Sequence, residues 1–202
     1  MTLRFLLSTV LGYLIGSLSV SILLSRAMFH KDIRTMGSGN AGAANAGRSF
    51  GPVMGAATFL GDFLKGMLGA ALGLWLGGTI GFVCGAVGCL IGHCFPLYFG
   101  FKGGKAVATA AGITLLLDWR VFLTALCAYL LVALLSRTAS ASSMGAAVAV
   151  ALSAPVFRLS AMQIGLAVFM CALVLFMHRG NIRRILNGTE PKFRFASRPN
   201  QK

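Results

Sequence analysis

Seven hydrophobic stretches, near residues 3–25, 52–75, 78–97, 106–118, 119–135, 144–158 and 160–177, are separated only by short polar breaks, and they decide what this chain can fold into. Among 202 residues there are four acids, Asp32, Asp62, Asp118 and Glu190. With 57% hydrophobic residues, 11% charged residues and a mean hydropathy of +0.83, the chain cannot supply the polar skin of a soluble domain of this size. The expected fold is all-α, a polytopic integral membrane protein with about seven transmembrane helices. It forms one domain over residues 1–202, of which 187–202 make a basic cytoplasmic tail. Several stretches are shorter than the roughly 20 residues that cross a hydrocarbon core, so some helices must begin or end at a protein-lined, wet cavity. The first stretch is too long and too glycine-rich for a signal-peptide core and reads as a retained helix.

Basic residues set the orientation, because short cytoplasmic loops accumulate Lys and Arg. With the N-terminus outside, the inner segments hold Arg26, Lys31, Arg34, Arg48, Lys102, Lys105, Arg137, Arg179, Arg183, Arg184, Lys192, Arg194, Arg198 and Lys202, against Arg4, Arg120 and Arg158 outside. An odd number of spans then leaves the C-terminus in the cytoplasm. The net charge of +14 is spread along one membrane face among glycines, which fits attraction to anionic lipid heads rather than nucleic acid. The five cysteines, at 84, 89, 94, 127 and 171, show no C-x-x-C spacing and read as small apolar residues.

Four polar clusters fall on the cytoplasmic side: "GSGNAGAANAGRSFG" (37–51), "FGFKGGKAVAT" (99–109), "SRTASASSM" (136–144) and "HRGNIRRILNGTE" (178–190). Gly37, Gly39 and Gly42 match G-x-G-x-x-G, but the match follows a membrane helix rather than a strand, so a dinucleotide fold is excluded. "GFKGGKA" is not a P-loop either: its glycine spacing is one residue short, and Ala106 stands where a Ser or Thr would hold magnesium. What remains is the chemistry beneath both motifs. Glycine lets the main chain approach an oxyanion, and a helix N-terminus adds partial positive charge. Ser38, Asn40, Ser142 and Ser143 can add neutral donors, and Arg48 and Lys105 the charge. The four clusters therefore read as a phosphate site.

Asp62 and Lys65 lie three apart in one apolar stretch and share a helix face, either as a brace for these clusters or as a substrate contact. His178, flanked by Arg179 and Asn181, is the histidine expected to act in the site; His93 and His30 read as structural. No histidine has an Asp five positions later, and there is no G-x-S-x-G elbow, so two acyl-transfer signatures are missing. Residue chemistry alone leaves open an enzyme, a transporter of phosphorylated solutes or lipids, and an inactive scaffold.

The segments "GSGNAGAANAGR" (37–48), "FKGGKAVAT" (101–109) and "HRGNIRRILNGTE" (178–190), in this order, resemble those of the bacterial membrane acyl-phosphate:glycerol-3-phosphate acyltransferases, the PlsY type, over about residues 8–195. The resemblance implies acyl transfer from acyl phosphate to the sn-1 hydroxyl of glycerol 3-phosphate at the inner membrane, facing the cytoplasm. Lysophosphatidic acid and phosphate would be the products. By position, Arg48 and Lys105 would grip the phosphate of glycerol 3-phosphate. Ser38, Gly39, Asn40, Gly103, Gly104 and Ser143 would cradle phosphate groups, and Ser142, His178 and Asn181 would orient the reacting groups, with Lys105 also taking part in catalysis. No cofactor or metal is expected, because the donor is already an activated anhydride and the loops hold few acids. The bilayer is the remaining partner, and a monomer is expected. Three positions depart from the family pattern: Ala41 for Pro, Ala44 for Thr and Ala106 for Gly.

Overall fold

The computed structural model describes residues 1–192; residues 193–202, part of the expected basic tail, lie outside the described residues. Helices account for the described fold: α1 (Thr2–Gly16), α2 (Val20–Phe29), α3 (Ala43–Phe50), α4 (Pro52–Cys94), α5 (Val107–Leu117), α6 (Trp119–Ser136), α7 (Ala139–Val156), α8 (Ala161–Met177) and α9 (Arg179–Leu186). Each of the seven apolar stretches becomes helical. The stretches Thr2–Phe29, Pro52–Phe99, Trp119–Ser136 and Ala139–Val156 are long and apolar enough to cross a membrane, and α8 joins them when counted with α9, from which it is bent by 58°.

Two of these stretches are broken. Within α4 the backbone leaves helical geometry at Gly77 and Gly78, the latter at φ 62°, and the second limb folds back along the first. The turn needs glycine because a side chain at positive φ is strained. Glycine also sets the spacing of the hairpin: Gly73 packs on the Gly81 backbone, with no room for a Cβ on either side. Where lipid offers no hydrophobic drive for helix association, such close contact between small residues replaces it. The first stretch is broken at residues 17–19, between α1 and α2, where Gly16, Ser17 and Ser19 interrupt the apolar run.

α1 lies along the second limb of α4, α5 packs on the first limb, and α6, α7 and α8 follow as neighbours. Leu90, Ile113, Leu117, Val121, Leu166, Ala167 and Met170 form the core between them. At about 1.5 Å per residue, the 11-residue α5 spans only about 16 Å, roughly half of a hydrocarbon core, and its N-terminal end opens on a cavity.

Candidate functional site

A cavity of about 1000 Å³ is enclosed by α3, α4, α5, α6, α7, α8 and α9. The first residues of α3 (Ala43, Ala44, Asn45), α5 (Val107, Ala108), α7 (Ala139, Ser140) and α9 (Asn181) lie on its wall. None of these four helices has a side chain capping its N-terminus. By contrast, Asp118 caps α6, and Ser160 closes a capping box on α8. Helix N-termini left uncapped around one cavity present free N–H groups and partial positive charge to whatever enters it.

The first loop is shaped by Asn45. Its Oδ1 accepts from Ser38 N at 2.9 Å, and its Nδ2 donates to the carbonyls of Met36 (3.0 Å) and Ile33 (3.2 Å). Gly37, at φ 54°, lies so close to the Asn45 amide that a Cβ would overlap it. Behind this loop Asp32 accepts from Arg26 at 2.8 Å and from Arg34 at 2.9 Å, and Arg34 donates onward to the Phe99 carbonyl at 2.6 Å. The Arg34 side chain holds the Asp32 carboxyl far below the ordinary carboxylate range. The 31–36 segment is thereby tied to the 97–102 turn.

In the second loop, Gly103 N and Gly104 N donate to the carbonyls of Cys94 and His93, at 3.1 and 3.0 Å, which sets Lys105 on the cavity wall. Lys105 donates to Asn181 Oδ1. Asn181 Nδ2 donates to Glu190 at 2.6 Å, and the other Glu190 oxygen accepts from Arg184 Nε at 2.7 Å. An ammonium only donates and a carboxylate only accepts, so this chain fixes which way the Asn181 amide points. Burial, followed by repulsion from Arg184, lowers the Lys105 pKa to about 8.

His178 joins α8 to α9. Its Nδ1 is 2.8 Å from the Val174 carbonyl. A carbonyl only accepts, so Nδ1 carries the hydrogen and Nε2 keeps its lone pair. Burial depresses the His178 pKa to about 4, and the Lys105 charge adds to the effect. Near neutral pH the ring is uncharged.

Of the residues expected in the site, Ser38, Asn40, Arg48, Lys105, Ser143, His178 and Asn181 line this one cavity. Gly39 and Gly103 line a smaller neighbouring depression with Arg34 and Lys102, and Gly104 is packed beneath Lys105. Ser142 is buried, and its hydroxyl donates to the Thr138 carbonyl at 2.7 Å in its own helix. Sequence reading missed Asn45, Ser140, Arg184 and Glu190 as cavity residues, although all lie inside the quoted clusters. Below the polar rim the wall becomes apolar, with Ala111, Phe122, Ala125, Leu126, Ala147, Val150, Met170 and Val174.

The fold and the cavity define an all-helical integral membrane protein in which uncapped helix ends and cations lie above an apolar recess. The pattern of the glycerol-3-phosphate acyltransferase family matches residues 6–188. Glycerol-3-phosphate acyltransferase 2 of Bacillus anthracis is 40% identical over 188 residues, covering 93% of this chain and 98% of the relative. The glycerol-3-phosphate acyltransferase of Pseudomonas fluorescens is 43% identical over 203 residues, covering 94% and 100%. A crystal structure of PlsY, an integral membrane glycerol 3-phosphate acyltransferase, in its glycerol 3-phosphate form matches with a TM-score of 0.89 at 32% identity, covering 94% of this chain and 95% of that one. Its lysophosphatidic acid form matches with a TM-score of 0.86. The chain belongs to the glycerol-3-phosphate acyltransferase family.

Proposed function

We propose that the protein transfers a fatty acyl group from acyl phosphate to the sn-1 hydroxyl of glycerol 3-phosphate, releasing lysophosphatidic acid and inorganic phosphate. The observation that carries this reading is the division of the cavity: uncapped helix ends, Arg48 and Lys105 above, and an apolar recess between α5, α6, α7 and α8 below. The upper part suits two phosphates, and the lower part suits an acyl chain.

Arg48 and Lys105 hold the phosphate of glycerol 3-phosphate. Main-chain donors of the first loop, with Ser38 and Asn40, receive the phosphate of the donor, and Ser143 adds a hydroxyl on the cavity wall. Asn181 keeps Lys105 aimed inward. The unprotonated Nε2 of His178 accepts a hydrogen bond from the sn-1 hydroxyl and holds it against the acyl carbonyl. Attack forms the new C–O ester bond and breaks the bond to the bridging oxygen, which leaves with the phosphate. A histidine with a pKa of about 4 is a weak proton store, whereas the oxygen freed on the leaving phosphate is a much stronger base, so the hydroxyl proton ends on phosphate. The helix ends stabilise charge as it builds on the leaving group. No covalent enzyme intermediate is needed.

In this reading the chain crosses the inner membrane seven times as a monomer, N-terminus outside, with the mouth of the cavity toward the cytoplasm, where the excess of basic residues lies. The purified protein should make lysophosphatidic acid from acyl phosphate and glycerol 3-phosphate but not from acyl-CoA. Equal use of acyl-CoA would overturn the donor assignment.

A further inference from the structure

Asp62, Lys65 and His93 form a charged cluster inside the helical bundle, with relative exposures of only 2%, 7% and 5%. Lys65 Nζ is 2.8 Å from Asp62 Oδ1, and the same oxygen is 3.5 Å from His93 Nδ1. Lys65 also donates to the Leu18 carbonyl at 2.7 Å. That carbonyl lies in the break between α1 and α2, where the helix end leaves acceptors unpaired and a cation is favoured. Lys65 therefore caps a broken helix, and Asp62 neutralises it, as an apolar medium requires.

The third member faces the site. The His93 carbonyl accepts from Gly104 N at 3.0 Å, and its ring Nε2 lies so close to Gly104 that any Cβ there would collide with it. The same imaginary Cβ would stand 2.7 Å from the Ala41 carbonyl of the first loop. Asp62 and His93 both appear on the cavity wall. The ring is wedged between a fixed carboxylate and the turn that delivers Lys105.

Building on the acyltransferase reading, we propose that His93, buried against Asp62, is a positioning residue: it sets the depth of the Gly103–Lys105 turn and hence the grip of Lys105 on glycerol 3-phosphate. It touches neither substrate. The hairpin of α4 brings it to Asp62 from 31 positions along the chain, and the cluster couples the break in the first helix to both phosphate loops.

The test uses the full chain, purified in detergent, with palmitoyl phosphate and glycerol 3-phosphate. Absence of turnover by the unaltered protein overturns the acyltransferase reading and this inference with it; the variants judge the inference alone. His93→Ala is expected to raise KM for glycerol 3-phosphate at least tenfold while KM for palmitoyl phosphate stays within twofold. His93→Asn, which keeps a polar side chain of similar reach between Asp62 and the Gly103–Lys105 turn, should recover most of that loss. An unchanged KM for glycerol 3-phosphate in His93→Ala, or an equal rise in both KM values, overturns the proposal. If His93→Ala yields no folded protein, His93→Asn and His93→Gln decide. A KM for glycerol 3-phosphate at least fivefold higher in Gln than in Asn supports the positioning role, and equal or reversed values overturn it.

Discussion

Lys105 donates to Asn181 across 76 positions of sequence, joining the glycine turn before α5 to the first turn of α9. The bond spends one donor of the ammonium and leaves the others facing the cavity, so Lys105 is held in place and still free to bind an anion. Lys105→Ala is expected to raise KM for glycerol 3-phosphate by roughly 10–100-fold, the equivalent of about 1.5–3 kcal/mol for a charged hydrogen bond, with a smaller change in kcat. Arg48→Ala should behave alike. Steady-state kinetics with glycerol 3-phosphate varied at saturating acyl phosphate would show this, and unaltered KM in both variants would refute the assignment.

The pH profile follows from the same lysine. Its pKa, brought down to about 8, means that the charged form is present below pH 8 and is lost above it. The ratio kcat/KM for glycerol 3-phosphate should therefore fall above about pH 8, approaching tenfold per pH unit, and Lys105→Arg should remove that alkaline limb. The stability effect has the opposite sign. An unfolded lysine titrates near 10.5, so between pH 8 and 10.5 the unfolded chain binds more protons and this group favours folding increasingly as pH rises.

Asn45→Ala would strip partners from one backbone N–H and two carbonyls around the first loop. Leaving buried polar groups unpaired costs about 1–3 kcal/mol. A thermal midpoint lowered by several degrees is expected, at roughly 2–4 °C per kcal/mol for a chain of this size, together with weaker binding of both phosphorylated substrates. Thermal unfolding with and without glycerol 3-phosphate would measure both effects.

Ala106 occupies the left-handed region at φ 60°, ψ 11°, at the N-cap of α5. An alanine here places a Cβ where one is strained by roughly 1–2 kcal/mol. Ala106→Gly should relax the turn, and part of the gain is offset by the added freedom of glycine in the unfolded chain and by the loss of a fully buried methyl. The expected result is a thermal midpoint raised by roughly 1–4 °C with activity retained. A lowered midpoint would count against the backbone geometry given for this turn.

Much of this site was legible because glycine, Lys and Arg at helix ends carry their chemistry locally. The clusters at 37–51, 99–109, 136–144 and 178–190 all contribute to the cavity wall. What stayed hidden depends on how helices face and fold. Ser142 and Ser143 are neighbours in sequence but about 100° apart around a helix, and only Ser143 reaches the cavity. The break at 17–19 falls at Gly16, Ser17 and Ser19, a run too short to end a hydrophobic stretch by itself. Asp62 and Lys65 could be paired from their spacing, but His93 joins them only through the α4 hairpin. Glu190 was visible in its cluster, whereas its partnership with Asn181 and Arg184 depends on the chain turning back after α9.

In the proposed reaction one cavity presents an acyl carbonyl, not a phosphorus atom, to the hydroxyl of glycerol 3-phosphate. The most direct measurement is a reaction of the purified protein with glycerol 3-phosphate and acyl phosphate carrying oxygen-18 in the bridging position. Attack at the carbonyl gives unlabelled lysophosphatidic acid and one labelled oxygen in each phosphate released. Failure to form lysophosphatidic acid, or retention of the label in the fatty acyl carboxylate, would contradict it.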